Sequence, residues 1–149
     1  MYDVSKNHVR LDTSMMDSLV AKLAKLDEVA ASQFVEELLL NYAETIEEDT
    51  IQAMAPSNLP AGGIYSTGQT VKSIQHVNGV MWEGSVAWVP IGFDFTKPGA
   101  GGYLISGTPK MRPVYRLNEM YRGKKYINRI YNDMFDDILD RIQDAWNAR

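Results

Sequence analysis

The sequence has no cysteine and only two histidines, and these shortages exclude several kinds of site. Without cysteine the chain has no disulfide, no thiol nucleophile and no thiolate metal ligand. Neither His8 nor His76 has a carboxylate or a second histidine at the spacing of a metal site, so we expect no metal at either residue. No run of about 18 apolar residues occurs, so the sequence predicts no membrane span.

Catalytic motifs are missing as well. None of Ser66, Ser73 and Ser106 lies in a G-x-S-x-G motif, and no serine has a general base that spacing alone would pair with it. The glycine-rich stretch Pro98–Tyr103 lacks the lysine and the Ser/Thr that follow in a phosphate-binding loop. We therefore expect no catalytic residue, no cofactor and no metal, and the sequence does not predict an enzyme.

Charge is divided unevenly along the chain, which has 149 residues and a net charge of −4. Residues 14–54 hold nine acidic and two basic side chains, whereas residues 110–129 hold seven basic side chains and one acid. Such blocks are typical of solvated helix faces, but they also suit complementary surfaces that meet within one fold or between copies. The seven cations are Lys110, Arg112, Arg116, Arg122, Lys124, Lys125 and Arg129.

Apolar spacing predicts two helices within residues 13–54. A stripe at three- and four-residue steps covers Met15–Leu26, and a longer stripe covers Phe34–Met54. Asp27 suits the N-cap of the longer helix. Pro56 is expected to end that helix, because the residue before a proline disfavours the helical conformation.

Beyond residue 66 the pattern indicates strands, and we predict an antiparallel sheet over residues 66–106. Apolar residues predict strands in Val71–Val77 and Val80–Trp88. Asn78-Gly79 between them suits a hairpin turn. The short apolar run Tyr103–Ile105 predicts another strand.

The last third of the chain is predicted to be helical over residues 113–147. Pro113 suits a first helical turn, and Gly123 is expected to separate a short helix from a long one. The long helix has the clearest apolar stripe in the sequence. Apolar residues at this spacing form one face of an amphipathic helix. Its members are Ile127, Ile130, Tyr131, Met134, Phe135, Ile138, Ile142, Ala145 and Trp146.

The order of elements predicts the fold class. Residues 1–12 are expected to form a strand or an extended arm, followed by helices, strands and again helices. This order is typical of an α+β protein. We therefore predict a single domain of residues 1–149, in which a small antiparallel sheet packs against a long N-terminal helix and a long C-terminal helix.

Short motifs follow one another in an order that resembles a known family. Ala55-Pro56 comes after the long helix, Ser66–Ile74 reads STGQTVKSI, and Gly107–Pro113 reads GTPKMRP before the last helix. This order resembles a tailed-phage family of small neck or tail-completion proteins, which shows "AP", then "TG-x-L-x-x-SI", then "GT-x-K-M". The resemblance covers about residues 28–145, and Val71 stands where the family usually has leucine.

The resemblance implies a structural virion protein that is made in the host cytoplasm. It implies a homo-oligomeric ring, such as a hexamer or a dodecamer, at the neck or upper tail. The expected neighbours are a head-closure or connector protein on one side and a tail terminator or tail tube on the other. DNA would pass through the ring without sequence-specific binding.

Residue chemistry points to an assembly element at residues 107–116. Gly107 permits a backbone angle that other residues resist, and Pro109 fixes the following turn, so we expect a rigid sheet edge that presents the neighbouring side chains. Head-to-tail ring contacts need a complementary patch on the same chain, and the acidic helices supply one. The predicted interface residues are Gly107, Thr108, Pro109, Lys110, Met111, Arg112 and Arg116, with Glu36, Glu37, Glu44 and Glu47 as their acidic counterparts.

Three alternatives stay open. The first is a tail terminator or another minor tail component. The second is a nucleic-acid-binding accessory protein, because the basic residues 110–129 include three tyrosines that suit stacking on bases. The third is a metal-dependent enzyme built on five aspartates that share one helix face, although such a face is usually solvated and would also repel DNA. These aspartates are Asp133, Asp136, Asp137, Asp140 and Asp144.

Overall fold

The structure is a computed structural model that describes residues 3–4, 9–26, 28–59, 68–97, 99 and 101–148. A small antiparallel sheet and two long helices confirm the predicted α+β class. In the described residues the strands are β1 (Asp3–Val4), β2 (Val9–Asp12), β3 (Met81–Glu83) and β4 (Val86–Ile91). The α-helices are α1 (Asp17–Leu26), α2 (Glu28–Ala53), α3 (Gln69–Lys72), α4 (Gly101–Ser106), α5 (Tyr115–Tyr121) and α6 (Lys125–Asn147).

The sheet has the order β1-β2-β4-β3, and each neighbouring pair is antiparallel. Val9 of β2 lies opposite Ile91 of β4, and Asp12 lies opposite Trp88. The N-terminal segment is therefore a strand inside the sheet. In its described residues the predicted sheet region 66–106 supplies β3 and β4, and the strand that pairs with β4 on its other side comes from the start of the chain.

One face of the sheet is buried, as alternation along β4 shows. Ala87, Val89 and Ile91 are buried, whereas the residues between them are half-buried. Side chains alternate between the two faces of a strand, so the buried set points to one side. This face packs against α2, whose Val35 and Leu39 are fully buried.

The strand predicted for Val71–Val77 is wrong, and so is the turn at Asn78-Gly79. Residues 69–72 form the short helix α3, after which Ile74 makes a single bridge to Phe93. Val71 and Ile74 are three positions apart, which fits a helix better than the two-residue period of a strand. The hairpin turn lies between β3 and β4, where Gly84 has a positive φ of 61° that suits such a turn.

The strand predicted for Tyr103–Ile105 is also wrong, because residues 101–106 form α4. Gly101, Leu104 and Ile105 are buried on one side of this helix, at the spacing of a helical face. A side chain at residue 101 would overlap the ring of Phe93. Tertiary packing thus selects a helix in a glycine-containing stretch with weak helix propensity.

The other predicted helices are confirmed, but Pro113 is not in a first helical turn, because α5 begins at Tyr115 with Val114 as its N-cap. α1 ends at Leu26 and α2 begins at Glu28, so the expected break is present, although the proposed cap Asp27 lies outside the described residues. α5 and α6 are separated near Gly123 as predicted. Two members of the expected stripe of α6 are not in the core, because Phe135 is 41% and Trp146 is 61% exposed.

α6 packs most extensively against α1, and its Tyr131 also contacts β2. Leu23 of α1 and Ala145 of α6 share one small apolar cluster. Near the start of α1, the backbone N–H of Asp12 donates to the hydroxyl of Tyr131 over 3.5 Å. α1 and α6 therefore run side by side in the same direction.

Thr13 fixes the junction between β2 and α1. It is fully buried, and its N–H donates to the carbonyl of Ala87 at 3.1 Å. Its Oγ1 accepts a second hydrogen bond, also of 3.1 Å, from the N–H of Ala87. One threonine thus satisfies both backbone groups of Ala87 inside the core.

Candidate assembly surface

The predicted corner at Gly107 exists, but it follows a helix and is not a sheet edge. Gly107 has a φ of 74°, and its N–H donates to the carbonyl of Tyr103 at 2.7 Å, which closes the C-terminus of α4. A Cβ at residue 107 would lie 2.9 Å from the carbonyl oxygen of Met111 and 2.8 Å from Cδ of Pro113. Only glycine fits this conformation and this space without displacement.

The corner continues as a tight turn closed by two backbone hydrogen bonds. The N–H of Thr108 donates to the carbonyl of Met111 at 2.8 Å, and the reverse bond measures 3.1 Å. The N–H of Lys110 also donates to Oγ1 of Thr108 at 3.2 Å. Lys110 and Arg112 are exposed on this turn, whereas Met111 is half-buried against the core and so anchors the turn.

A cleft opens where the end of α2 meets α5 and the start of α6. We call it the basic cleft, and its volume is about 490 Å³. Arg116, Lys125 and Arg129 are its cations, and all three are exposed. The full lining is Asp49, Arg116, Glu119, Met120, Lys125, Tyr126 and Arg129.

The two carboxylates of the basic cleft are bonded by tyrosines. The hydroxyl of Tyr126 donates to Oδ2 of Asp49 at 2.7 Å, and the hydroxyl of Tyr115 donates to Oε1 of Glu119 at 2.8 Å. Burial, together with the hydrogen bond to Asp49, raises the pKa of Tyr126 above its ordinary value, so this hydroxyl stays a donor at neutral pH.

The cations of residues 110–129 make no ion pair with any residue that the structure describes. Arg122 donates to the hydroxyl of Ser106 at 2.8 Å, and the guanidinium of Arg129 lies 5.1 Å from the centre of the Tyr126 ring. Neither contact neutralises a charge. The positive surface therefore remains available to an anionic partner.

The predicted acidic counterparts divide into two groups. Oε1 of Glu36 accepts a hydrogen bond of 2.8 Å from Nε1 of Trp82, and the carboxylate of Glu47 lies 3.0 Å from Nδ1 of His76. These two residues thus have partners within the chain, and the contact of His76 had no signal in the local sequence. Glu37 and Glu44 are exposed on α2.

A second groove lies between α2 and α6 and is acidic. We call it the acidic groove; its carboxylates are Glu37, Asp137, Asp140 and Asp144. Phe34, Leu38, Asn41 and Arg141 complete its lining. The hydroxyl of Tyr42 donates to Oδ2 of Asp137 at 2.6 Å, and burial together with this bond raises the pKa of Tyr42.

Within the described ranges, no three His, Asp or Glu side chains form a group that would hold a metal ion. His8 lies outside these ranges. In the same part of the chain, no helix is both long enough and apolar enough to cross a membrane. No protein family matches the chain, and neither does any curated protein or solved structure.

Proposed function

We propose that the chain is a structural protein of a tailed-phage virion. It forms a homo-oligomeric ring at the neck or upper tail, completes the tail and joins it to the head connector. The ring lets DNA pass, and its neighbours are a head-closure or connector protein and a tail terminator or tail tube. Its work is mechanical and requires no catalytic residue.

One observation carries this proposal: the seven cations of residues 110–129 form no ion pair with any described residue, and two of them are exposed on the turn that follows Gly107. Backbone hydrogen bonds of Gly107 and Thr108 fix the backbone of the turn that carries the exposed residues Lys110 and Arg112. A preformed turn lowers the entropy that binding must overcome, and its positive charges favour an anionic partner. The order of motifs over residues 28–145 is the reason to place that partner in a phage neck.

Particle composition tests the proposal. Virions purified from cells that produce this chain would be analysed by mass spectrometry and by electron microscopy with a tagged copy. We expect the chain in mature particles, as ring-shaped density between head and tail. If tailed particles mature without the chain, or if it is found only outside particles, the proposal is wrong.

Position within the particle separates the main proposal from its nearest alternative. A tail terminator occupies the upper end of the tail tube, and isolated tails would retain it. A neck protein is added at the junction with the head. Labelled density that stays with tails lacking heads would favour the terminator.

A nucleic-acid-binding accessory protein is favoured by one specific feature, the tyrosines that accompany the cations. Tyr115 is 72% exposed and lies next to Arg116. Replacing Lys124 and Lys125 by alanine would weaken such binding and reduce its salt dependence, because each phosphate contact releases counterions. Titrations of single-stranded and double-stranded DNA that show no binding at low salt would exclude this alternative.

A further inference from the structure

We infer that the basic cleft of one copy binds the acidic groove of the next copy, so that copies associate head to tail. The inference rests on the proposed function and specifies the contact that builds the ring. In this inference the aspartates of α6 form the acidic partner surface, and the predicted residues Glu36 and Glu47 do not.

The first argument is that the basic cleft is prepared for an external anion. Its own carboxylates, Asp49 and Glu119, accept hydrogen bonds from tyrosine hydroxyls and form no ion pair with described residues. The three cations thus keep their charge exposed at the surface. An acidic surface of a second copy would supply the missing ion pairs, with the two guanidinium groups able to bind carboxylates bidentately.

The second argument is that the charges of α6 oppose its own helix dipole at both ends. Lys124 and Lys125 stand at the N-terminus, where the dipole is positive, and no acidic residue lies in the first turn. Asp144 stands near the C-terminus, where the dipole is negative, and no basic residue lies in the last turn. Both placements cost stability in an isolated chain. An acidic groove docked on a basic cleft relieves both costs at once.

The third argument concerns the positions of the two surfaces. α2 and α6 run antiparallel, since Asp49 contacts Tyr126 whereas Tyr42 contacts Asp137. The basic cleft lies at one end of the seam between these helices and the acidic groove lies at the other. Residues 126 and 140 are about 21 Å apart along α6 at 1.5 Å per residue. The two surfaces are therefore too far apart to neutralise each other within one chain.

Asp133 lies midway between these two positions on α6 and disfavours a two-fold contact. In a two-fold dimer centred on the seam, the copies of this exposed aspartate would face each other and repel. A head-to-tail arrangement displaces one copy along the seam and avoids that repulsion. Heterologous contacts of this kind close into rings when the rotation permits.

A protein partner suits the basic cleft better than DNA does. Asp49 and Glu119 line the cleft, and the acidic face of α6 begins one turn beyond Arg129 at Asp133. Both would repel a continuous phosphate backbone. A second copy presents its carboxylates as a compact group instead.

Charge reversal tests the contact. R116E/R129E makes both ends of the seam acidic, and D140R/D144R makes both ends basic. Each variant alone is expected to self-associate about tenfold or more weakly than the unchanged chain. An equal mixture of the two variants is expected to regain association, because each then offers the surface that the other lacks. Light scattering and analytical ultracentrifugation would measure the masses, and circular dichroism would verify folding.

A matched control carries the same change in net charge as R116E/R129E, but on another surface of the chain. K22E/K25E reverses two exposed cations of α1 and is expected to associate like the unchanged chain. Association of the unchanged chain should also weaken when salt rises from about 0.05 M to about 0.5 M, because exposed charges are screened.

Several outcomes would overturn the inference. It is wrong if R116E/R129E associates normally, if the variant mixture stays monomeric, if the unchanged chain is monomeric at every concentration, or if it forms only two-fold dimers. DNA binding that is lost in R116E/R129E, without self-association of the unchanged chain, would assign the cleft to nucleic acid. Rings that persist in all variants would leave the phage-neck function standing while excluding this contact.

Discussion

The hydroxyl of Tyr126 donates a 2.7 Å hydrogen bond to the carboxylate of Asp49. This contact joins the start of α6 to the end of α2, two helices whose sequences are far apart in the chain. Asp49 and Arg129 both line the basic cleft. The same hydrogen bond thus contributes to helix packing and holds one carboxylate of the basic cleft in place.

Tyr126→Phe is expected to lower the free energy of unfolding by about 1–2 kcal/mol, because a half-buried hydrogen bond to a charged group is lost. Urea unfolding followed by circular dichroism would measure the change. Tyr115→Phe is the matched control, since it removes the same kind of bond, to Glu119, at an exposed position. We expect no measurable change in that control. Equal effects of the two substitutions would contradict the assigned burial.

Three glycine substitutions separate backbone strain from steric overlap. Gly79→Ala should be neutral, since residue 79 has no positive φ and no close neighbour. Gly84→Ala should cost about 1 kcal/mol from its φ of 61° alone. Gly107→Ala should cost more than Gly84→Ala, because strain at φ 74° adds to overlap with Met111 and Pro113. Thermal unfolding that ranks the three variants in another order would show that the corner is not rigid.

Thr13→Val keeps the shape of the side chain but removes the acceptor for the N–H of Ala87. The cost is expected to be about 1–3 kcal/mol, because a buried donor is left without its partner. Thr45→Val is the control, since that hydroxyl donates to the carbonyl of Asn41 at an exposed helix position. Its effect should stay within about 0.5 kcal/mol. A loss of similar size in both variants would show that Thr13 does not join β2 to β4 as described.

Stability is expected to fall as pH rises above about 10, the ordinary pKa of tyrosine. Burial raises the pKa of Tyr121 and of Tyr131 in the folded chain. Above pH 10 the unfolded chain therefore releases protons that the folded chain retains, and unfolding becomes more favourable. Each such tyrosine contributes a slope of at most about 1.4 kcal/mol per pH unit. Denaturant unfolding at a series of pH values should show a shallower fall for Tyr131→Phe, and an unchanged slope would contradict the assignment.

The long helices were predictable from sequence because their apolar residues repeat over many turns. Ile127, Met134 and Ile138 are buried on α6 as the stripe predicts. Phe135 is on the edge of that stripe. The helical period of the apolar residues alone does not show which edge residues a neighbouring element covers. The exposed fraction of Phe135 depends on the tertiary packing of α6, which no local pattern encodes.

Short elements were less predictable because three or four residues carry little periodicity. α4 contains a run of Tyr, Leu and Ile that favours a strand locally, but Gly101 permits close packing on Phe93 and the segment becomes a helix. The N-terminal strand had a weak signal of its own, and its position beside β4 depends on pairing between Val9 and Ile91.

The charge of the candidate surface was predictable in part. The basic residues were recognisable as a block, and their exposure follows from polar side chains on α5 and α6. Their lack of ion pairs with described residues was not predictable, because local sequence does not show that Asp49 of α2 lines the same cleft or that tyrosines bond Asp49 and Glu119. The partners of Glu36 and Glu47 come from β3 and from the segment before it, which local sequence does not place near α2.

The pairing of β2 with β4 also affects the order in which the chain can fold during translation. β1 and β2 are synthesised first, but β4 begins at Val86, so the pairing of β2 with β4 can form only after the chain up to Ile91 has been synthesised. α1 and α2 precede β4 in the chain, and α2 packs against β4. A chain that ends before Val86 would therefore lack the strand that covers this side of α2.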